Sequence, residues 1–247
     1  MYDLNLSGSN GSNCGAQPIN LGSIKTQSRF ASLGWSTGGK SLASQFGMGL
    51  LAGGMENGTV HVWDPRGIMD QQNNPLLVAT MKQHASGPVK ALQFNSLYPA
   101  QLATGGSDGK VLITNLDSPS LDNPTVVAPS DDYFQGTQIT SVAWNTQVAH
   151  IVASSAADGT VAVWDLKSRK AWCELRGETA GQAVADIAWN PTQGLHLLTA
   201  SADDRNPVLK LWDLRASTSM PLATLPGHQQ GIMSMAWCPH DDHLLIS

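Results

Sequence analysis

Residues 151–165 read Ile151-Val152-Ala153-Ser154-Ser155-Ala156-Ala157-Asp158-Gly159-Thr160-Val161-Ala162-Val163-Trp164-Asp165. One run of small and β-branched residues stops at Asp-Gly, and a second apolar run follows and ends in Trp-Asp. Asp-Gly tolerates the positive φ angles of a type I′ turn, whose twist matches the strands it joins, so the stretch predicts a β-hairpin. The pattern is repeated. Leu51-Ala52-Gly53-Gly54 precedes Asn57-Gly58 and Val60-His61-Val62-Trp63-Asp64. Leu102-Ala103-Thr104-Gly105-Gly106 precedes Asp108-Gly109 and Val111-Leu112-Ile113-Thr114-Asn115, and Leu209-Lys210-Leu211-Trp212-Asp213 closes a fourth copy.

A second phrase runs in phase with the hairpin. Ser32-Leu33-Gly34-Trp35, Ser141-Val142-Ala143-Trp144, Asp186-Ile187-Ala188-Trp189 and Ser234-Met235-Ala236-Trp237 each stand before a copy, and Ala91-Leu92-Gln93-Phe94 fills the remaining slot. Their aromatic residues are spaced by 59, 50, 45 and 48 positions, close to the blade length of a β-propeller. With looser strands near 76–82, 125–129, 171–177 and 221–227, each unit has four strands. The fold class is therefore all-β, a WD-repeat β-propeller. One domain is expected over 1–247, with whole blades at 24–82, 84–129, 133–177 and 180–227. Residues 1–7 read as the end of a preceding blade and 228–247 as a partial blade. Small residues on the second strand suit crowding at a central axis. Residues 7–20 and 117–124 read as surface insertions. An open arc exposes apolar inter-blade surface at both ends, so the natural chain is expected to be longer.

Composition narrows the function. The 247 residues carry 14 Lys+Arg against 19 Asp+Glu and are 41% hydrophobic, a balance that argues against both disorder and an electrostatic grip on nucleic acid. No apolar window is long enough to insert into a membrane. Cys14, Cys173 and Cys238 lie far apart, which suggests reduced thiols and a cytoplasmic location.

Gly34-Trp35-Ser36-Thr37-Gly38-Gly39-Lys40-Ser41 matches the phosphate-binding G-x-x-x-x-G-K-[ST] pattern. That loop needs a helix to follow, so that backbone N–H groups point at the phosphates. Here strand-like sequence follows, and the stretch reads as the turn between the first two strands. Cys238-Pro239-His240-Asp241-Asp242-His243 offers zinc-ligating groups, but it occupies the same turn of a later repeat and no second cluster stands ready. No nucleophile elbow is present. No catalytic residue, cofactor site or metal site is therefore expected, and the chain is expected not to be an enzyme.

The marked polar positions are structural. In WD repeats a His before the first strand, a Ser/Thr on the second, an Asp in the tight turn and the Trp of Trp-Asp can form a buried hydrogen-bonded chain. No blade here has all four. The candidates are His84 and Asp108, with Thr114 in place of Trp, then Ser154 or Ser155 with Asp158, Trp164 and Asp165, and Ser201 with Asp203 or Asp204, Trp212 and Asp213. Trp63 and Asp64 mark the first blade, and His228 opens the partial one.

More specific than these is Asp203-Asp204-Arg205-Asn206-Pro207, running into Val208 to Arg215. With Gly227-His228-Gln229-Gln230-Gly231-Ile232 and Ala171-Trp172-Cys173-Glu174-Leu175-Arg176, it resembles the N-terminal propeller of the larger outer-coat subunit of COPII, the Sec-thirty-one family. The resemblance extends from Phe30 to Ser247. It implies a truncated form of a seven-bladed ring and a non-enzymatic scaffold of the coat on vesicles moving from the endoplasmic reticulum to the Golgi. The implied partners are a smaller WD-repeat outer-coat subunit and other copies of the same subunit at cage vertices. Contact with the inner coat and its small GTPase would be indirect, and the location peripheral on COPII vesicles and endoplasmic reticulum exit sites. The alternative is a substrate receptor of a cullin-RING ubiquitin ligase, suggested by Trp63-Asp64-Pro65-Arg66 and Trp212-Asp213-Leu214-Arg215.

Overall fold

The computed structural model describes residues 2–3, 19–36, 46–70, 77–82, 84–85, 87–117, 125–127, 133–134, 136–175 and 181–247. A short ribbon pairs β1 (Tyr2–Asp3) with β2 (Ile19–Asn20). Four antiparallel sheets follow. The first holds β3 (Phe30–Trp35), β4 (Leu51–Met55), β5 (Thr59–Trp63), helix α1 (Pro65–Met69) in the connection, and β6 (Leu77–Lys82). The second holds β7 (Val89–Phe94), β8 (Gln101–Gly106), β9 (Val111–Asn115) and β10 (Thr125–Val127). The third holds β11 (Ile139–Trp144), β12 (Ile151–Ala156), β13 (Val161–Asp165) and β14 (Lys170–Leu175). The fourth holds β15 (Val184–Trp189), β16 (His196–Ser201), β17 (Val208–Asp213) and β18 (Ala223–Pro226). A hairpin of β19 (Ala236–Cys238) and β20 (Asp241–Ile246) ends the chain.

Each sheet is an up-and-down meander with its strands in chain order, which is the blade of a propeller. The tight turns use the glycines read from the sequence: Gly58, Gly109 and Gly159 have φ of 82°, 76° and 91°, open to glycine at no steric cost. The apolar core lies between blades. One cluster joins Val60, Val62 and Met81 to Val89, Phe94 and Leu102, and the next joins Val111 and Ile113 to Ile139, Trp144 and Trp164. A third joins Val161 and Val163 to Ile187, Trp189 and Trp212, and a fourth brings Leu198 and Leu209 to Ile232 and Met235. The result is an open propeller arc, each blade resting on the next.

Two expectations are corrected. The central channel, about 1080 Å³, is lined by first-strand and adjoining residues such as Ala31, Lys90, Thr140 and Ala185. The first strand is thus the axial one. Small residues on the second strand serve the crossing of side chains instead: a Cβ on Gly53 would meet the Phe30 ring at 2.5 Å, and one on Gly105 the Ile139 side chain at 2.4 Å. Ile19 and Asn20, read as the close of an insertion, form β2, because Tyr2 and Asp3 pair with them and with none of the four sheets. The rest of that insertion, residues 7–18, and most of 117–124 lie outside the described residues.

Candidate functional site

The buried polar positions follow one register rule. Trp164 faces Val152 across the ladder, and its indole N–H donates to the Ser154 hydroxyl, two residues along, at 2.8 Å. Trp212 faces Leu197 and donates to Thr199, again two along, at 3.1 Å. Ser201, the residue read from sequence for this role, instead accepts from the Asp203 N–H at 3.2 Å. In the second blade Thr114 faces Leu102, and the slot two along is Thr104. There the His84 ring bridges Thr104 (Nε2 to Oγ1, 3.0 Å) and Asp108 (Nδ1 to Oδ1, 2.9 Å), with the imidazole fully enclosed. In the first blade Trp63 faces Leu51, the slot falls on Gly53, and the Phe30 ring packs edge-on to Trp63 at 5.7 Å.

The turn and strand-end aspartates work locally. Asp158 accepts from the Thr160 N–H and Asp203 from the Arg205 N–H, both at 2.9 Å. Asp204 accepts from the Gly231 N–H of the following segment at 2.8 Å. Asn206 reaches Gln182 at 3.4 Å, and Pro207 leads into β17. Asp165 accepts from the Lys167 N–H, and that bond, with the Ser168 contacts and the charge of His150, outweighs burial and leaves its carboxyl below the usual range. Asp64 caps α1, accepting from the Arg66 N–H at 2.9 Å and the Arg66 guanidinium at 2.8 Å. Asp213 does the same for Arg215, whose hydrogen bonds hold its carboxyl low. His228 is half-buried and meets the Ser247 hydroxyl at 2.9 Å, outside any buried chain.

A second set of polar contacts crosses between blades and was not singled out in the sequence. Asn95, Asn145 and Asn190 follow the aromatic residue that ends each first strand. Each carboxamide oxygen accepts from two N–H groups of its own turn, as Asn145 does from Gln147 and Val148, both at 2.9 Å. Each carboxamide nitrogen donates to the next blade: Asn95 to the Ala149 carbonyl at 2.9 Å, Asn145 to Gly194 at 2.6 Å, and Asn190 to Asp242 at 3.2 Å. The indoles point the other way, Trp144 donating to the Gln93 carbonyl and Trp189 to the Ala143 carbonyl, both at 3.0 Å. Asp186 ties three units by accepting from Ser141 at 2.8 Å, Ser234 at 3.2 Å and the Met235 N–H at 3.0 Å. The legible signal is the recurrence of Phe-Asn, Trp-Asn and Trp-Asn. At the first slot stands Ser36, whose buried hydroxyl has no partner among the described residues, and at the last stands Cys238.

Surface chemistry is uneven. The turns joining first to second and third to fourth strands lie at one end of every sheet, and Tyr98, Val148, Trp172, Met220 and Leu222 are exposed there. The opposite end carries the Asn-Gly and Asp-Gly turns. Of the phosphate-loop match, Gly34 and Trp35 end β3, no helix begins in the described part, and 37–41 lie outside the described residues. Cys238 and Asp241 face each other across the hairpin. Among the described residues no three His, Cys, Asp or Glu side chains converge as a metal site would require. No described helix is long and apolar enough to cross a membrane. The arrangement offers a rigid stack with broad, chemically varied faces.

Known proteins match this stack throughout. A family model described as "Nucleolar protein 10-like, N-terminal domain" matches residues 19–205, and one described as "WD domain, G-beta repeat" matches 219–247. The protein transport protein SEC31 of Dictyostelium discoideum is 36% identical over 92% of this chain, and Sec31B of Mus musculus is 34% identical over 92%. The chain spans 17% and 19% of those two relatives' lengths. A solved structure of "COPII on membranes, outer coat vertex" superposes with a TM-score of 0.77 and 29% identity, over 93% of this chain and 57% of that one. A second, "The structure of the COPII coat assembled on membranes", gives the same score and identity over 93% of this chain and 32% of that one. None of these relatives supports the ubiquitin-ligase reading, and both arginines that suggested it are held by their own aspartates.

Proposed function

The chain belongs to the β-propeller family described as nucleolar protein 10-like, N-terminal domain, and on that premise we propose that it is the N-terminal propeller of a Sec31 protein and so part of a structural subunit of the COPII outer coat. In this reading it acts in protein transport from the endoplasmic reticulum to the Golgi, as one WD-repeat domain over residues 1–247, without enzymatic activity. Its partners are a smaller WD-repeat coat subunit and further copies of itself at cage vertices, with the inner coat and its GTPase reached indirectly. It resides in the cytoplasm, peripheral on vesicles and exit sites. The observation that carries the reading is the likeness to the outer-coat vertex structure over 93% of the chain at 29% identity.

The physics suits the role. Many weak contacts in fixed geometry give avidity only if the part that holds them is stiff. The relay of Asn and Trp hydrogen bonds supplies that stiffness at the interfaces beyond the second blade, from Asn95 to Ala149 onward. The test replaces the matched segment of Dictyostelium SEC31 with this chain in cells lacking their own copy. The chimera is expected to collect at exit sites and sustain secretion. A chimera made at normal levels that stays diffuse while secretion stops would overturn the proposal.

A further inference from the structure

We propose that β14, with the turn leading into it, is a docking edge for an extended, acidic segment of a partner protein. This surface is independent of the coat reading. Lys167, Arg169 and Lys170 place three of the chain's 14 cations within four residues of a molecule whose formal net charge is -5. All three are exposed, and none forms an ion pair among the described residues. The remaining described arginines of the Trp-Asp turns are neutralised in place by Asp64 and Asp213, so this turn concentrates unspent positive charge.

The strand itself is prepared for a neighbour. β14 is the terminal strand of its sheet, six residues long without Gly or Pro, and among the described residues no further strand pairs with its outer side. Its register skips at one point: Trp164 pairs with Ala171 and Val163 with Cys173, which leaves Trp172 as the extra residue of a β-bulge. Bulges re-aim side chains, and here the indole is turned out to 50% exposure. Trp172 is the one tryptophan outside both repeated phrases. Arg169 has φ of 54°, a conformation glycine would adopt without cost, yet a long cation occupies it. Lys residues on an edge also serve to repel other strands. The bulged indole sets this edge apart, because an exposed tryptophan beside the lysines invites contact. An acidic strand with apolar side chains on one face satisfies all three features: backbone pairing, burial of the indole, and charge.

The probe is a fluorescein-labelled peptide of alternating Glu and Val, long enough to span the six residues of β14, titrated against the whole chain by fluorescence anisotropy. Binding is expected, weakening at least about tenfold as salt rises from about 0.05 M to about 0.5 M. Trp172→Ser and the triple variant Lys167→Glu/Arg169→Glu/Lys170→Glu should each abolish it. Lys25→Glu/Arg29→Glu/Arg205→Glu changes the net charge equally at other exposed positions and should leave it intact. Circular dichroism confirms that each variant is folded. Absence of binding, equal binding of a Lys-Val peptide, or equal loss in the control variant would overturn the proposal. So would sedimentation with phosphatidylserine vesicles that depends on the same cations while the peptide fails to bind, which would make this a membrane-facing patch.

Discussion

Trp164 is almost completely enclosed, and its single polar atom donates to Ser154. Trp164→Ala removes the packing of two blades at once and is expected to cost about 3–5 kcal/mol. Trp164→Phe keeps most of the buried area but orphans the Ser154 hydroxyl, for a loss of about 1–2 kcal/mol. Urea midpoints of the two variants check this, and equal midpoints for parent and Ala variant would remove the role given to the indole. Asp108 gives the pH dependence. Burial raises its carboxyl, but the hydrogen bond and charge of His84, with the Lys110 and Ala85 N–H groups, outweigh burial and leave it below its ordinary 3.8. A carboxylate lowered in the folded state stabilises fully above its unfolded value, and that contribution disappears as pH falls through the folded one. The parent is therefore expected to lose more stability than Asp108→Asn on acidification below about pH 4. Thermal melts from neutral to acid pH decide it, and parallel curves would show that Asp108 contributes nothing pH-dependent. The sequence marked His84, Asp108 and Trp212 because turn dipeptides and Trp-Asp are local signals. It could not separate Thr199 from Ser201, since residues two apart on a strand share a face and register alone selects between them.

Within the blade, strand identity was legible from alternation and from turn chemistry, and the fourth strands from little more than position. What holds blade to blade was not, because the partners of Asn95, Asn145 and Asn190 lie about a blade away in sequence. Asn145 holds two N–H groups of its own turn and one carbonyl of the next. Asn145→Ala is therefore expected to cost about 2–3 kcal/mol. The reverse exchange, Ser36→Asn, places a carboxamide in the slot whose hydroxyl is unpaired and is expected to gain about 1 kcal/mol. Denaturant midpoints test both. An unaffected Asn145→Ala would mean that the relay is incidental to packing.

At the scale of the molecule the clusters run in series, each shared by two consecutive blades, so the arc behaves as a stack whose neighbours alone communicate directly. Such a body holds its outer surfaces in fixed relation, as a coat subunit requires. The sequence alone determined that the chain is an all-β array of Trp-marked repeats, and the Asp203–Pro207 stretch pointed to its family, because turn residues, alternation and motif identity are properties of neighbours along the chain. Tertiary structure alone decided that the first strand lines the axis, that the small residues admit crossing side chains, and that asparagines and indoles bridge the blades. It also decided that the bulge at Trp172 opens an edge beside three free cations. Those outcomes depend on which residues meet across tens of positions of chain, and the free energy of such meetings is set by register and packing that no local pattern encodes.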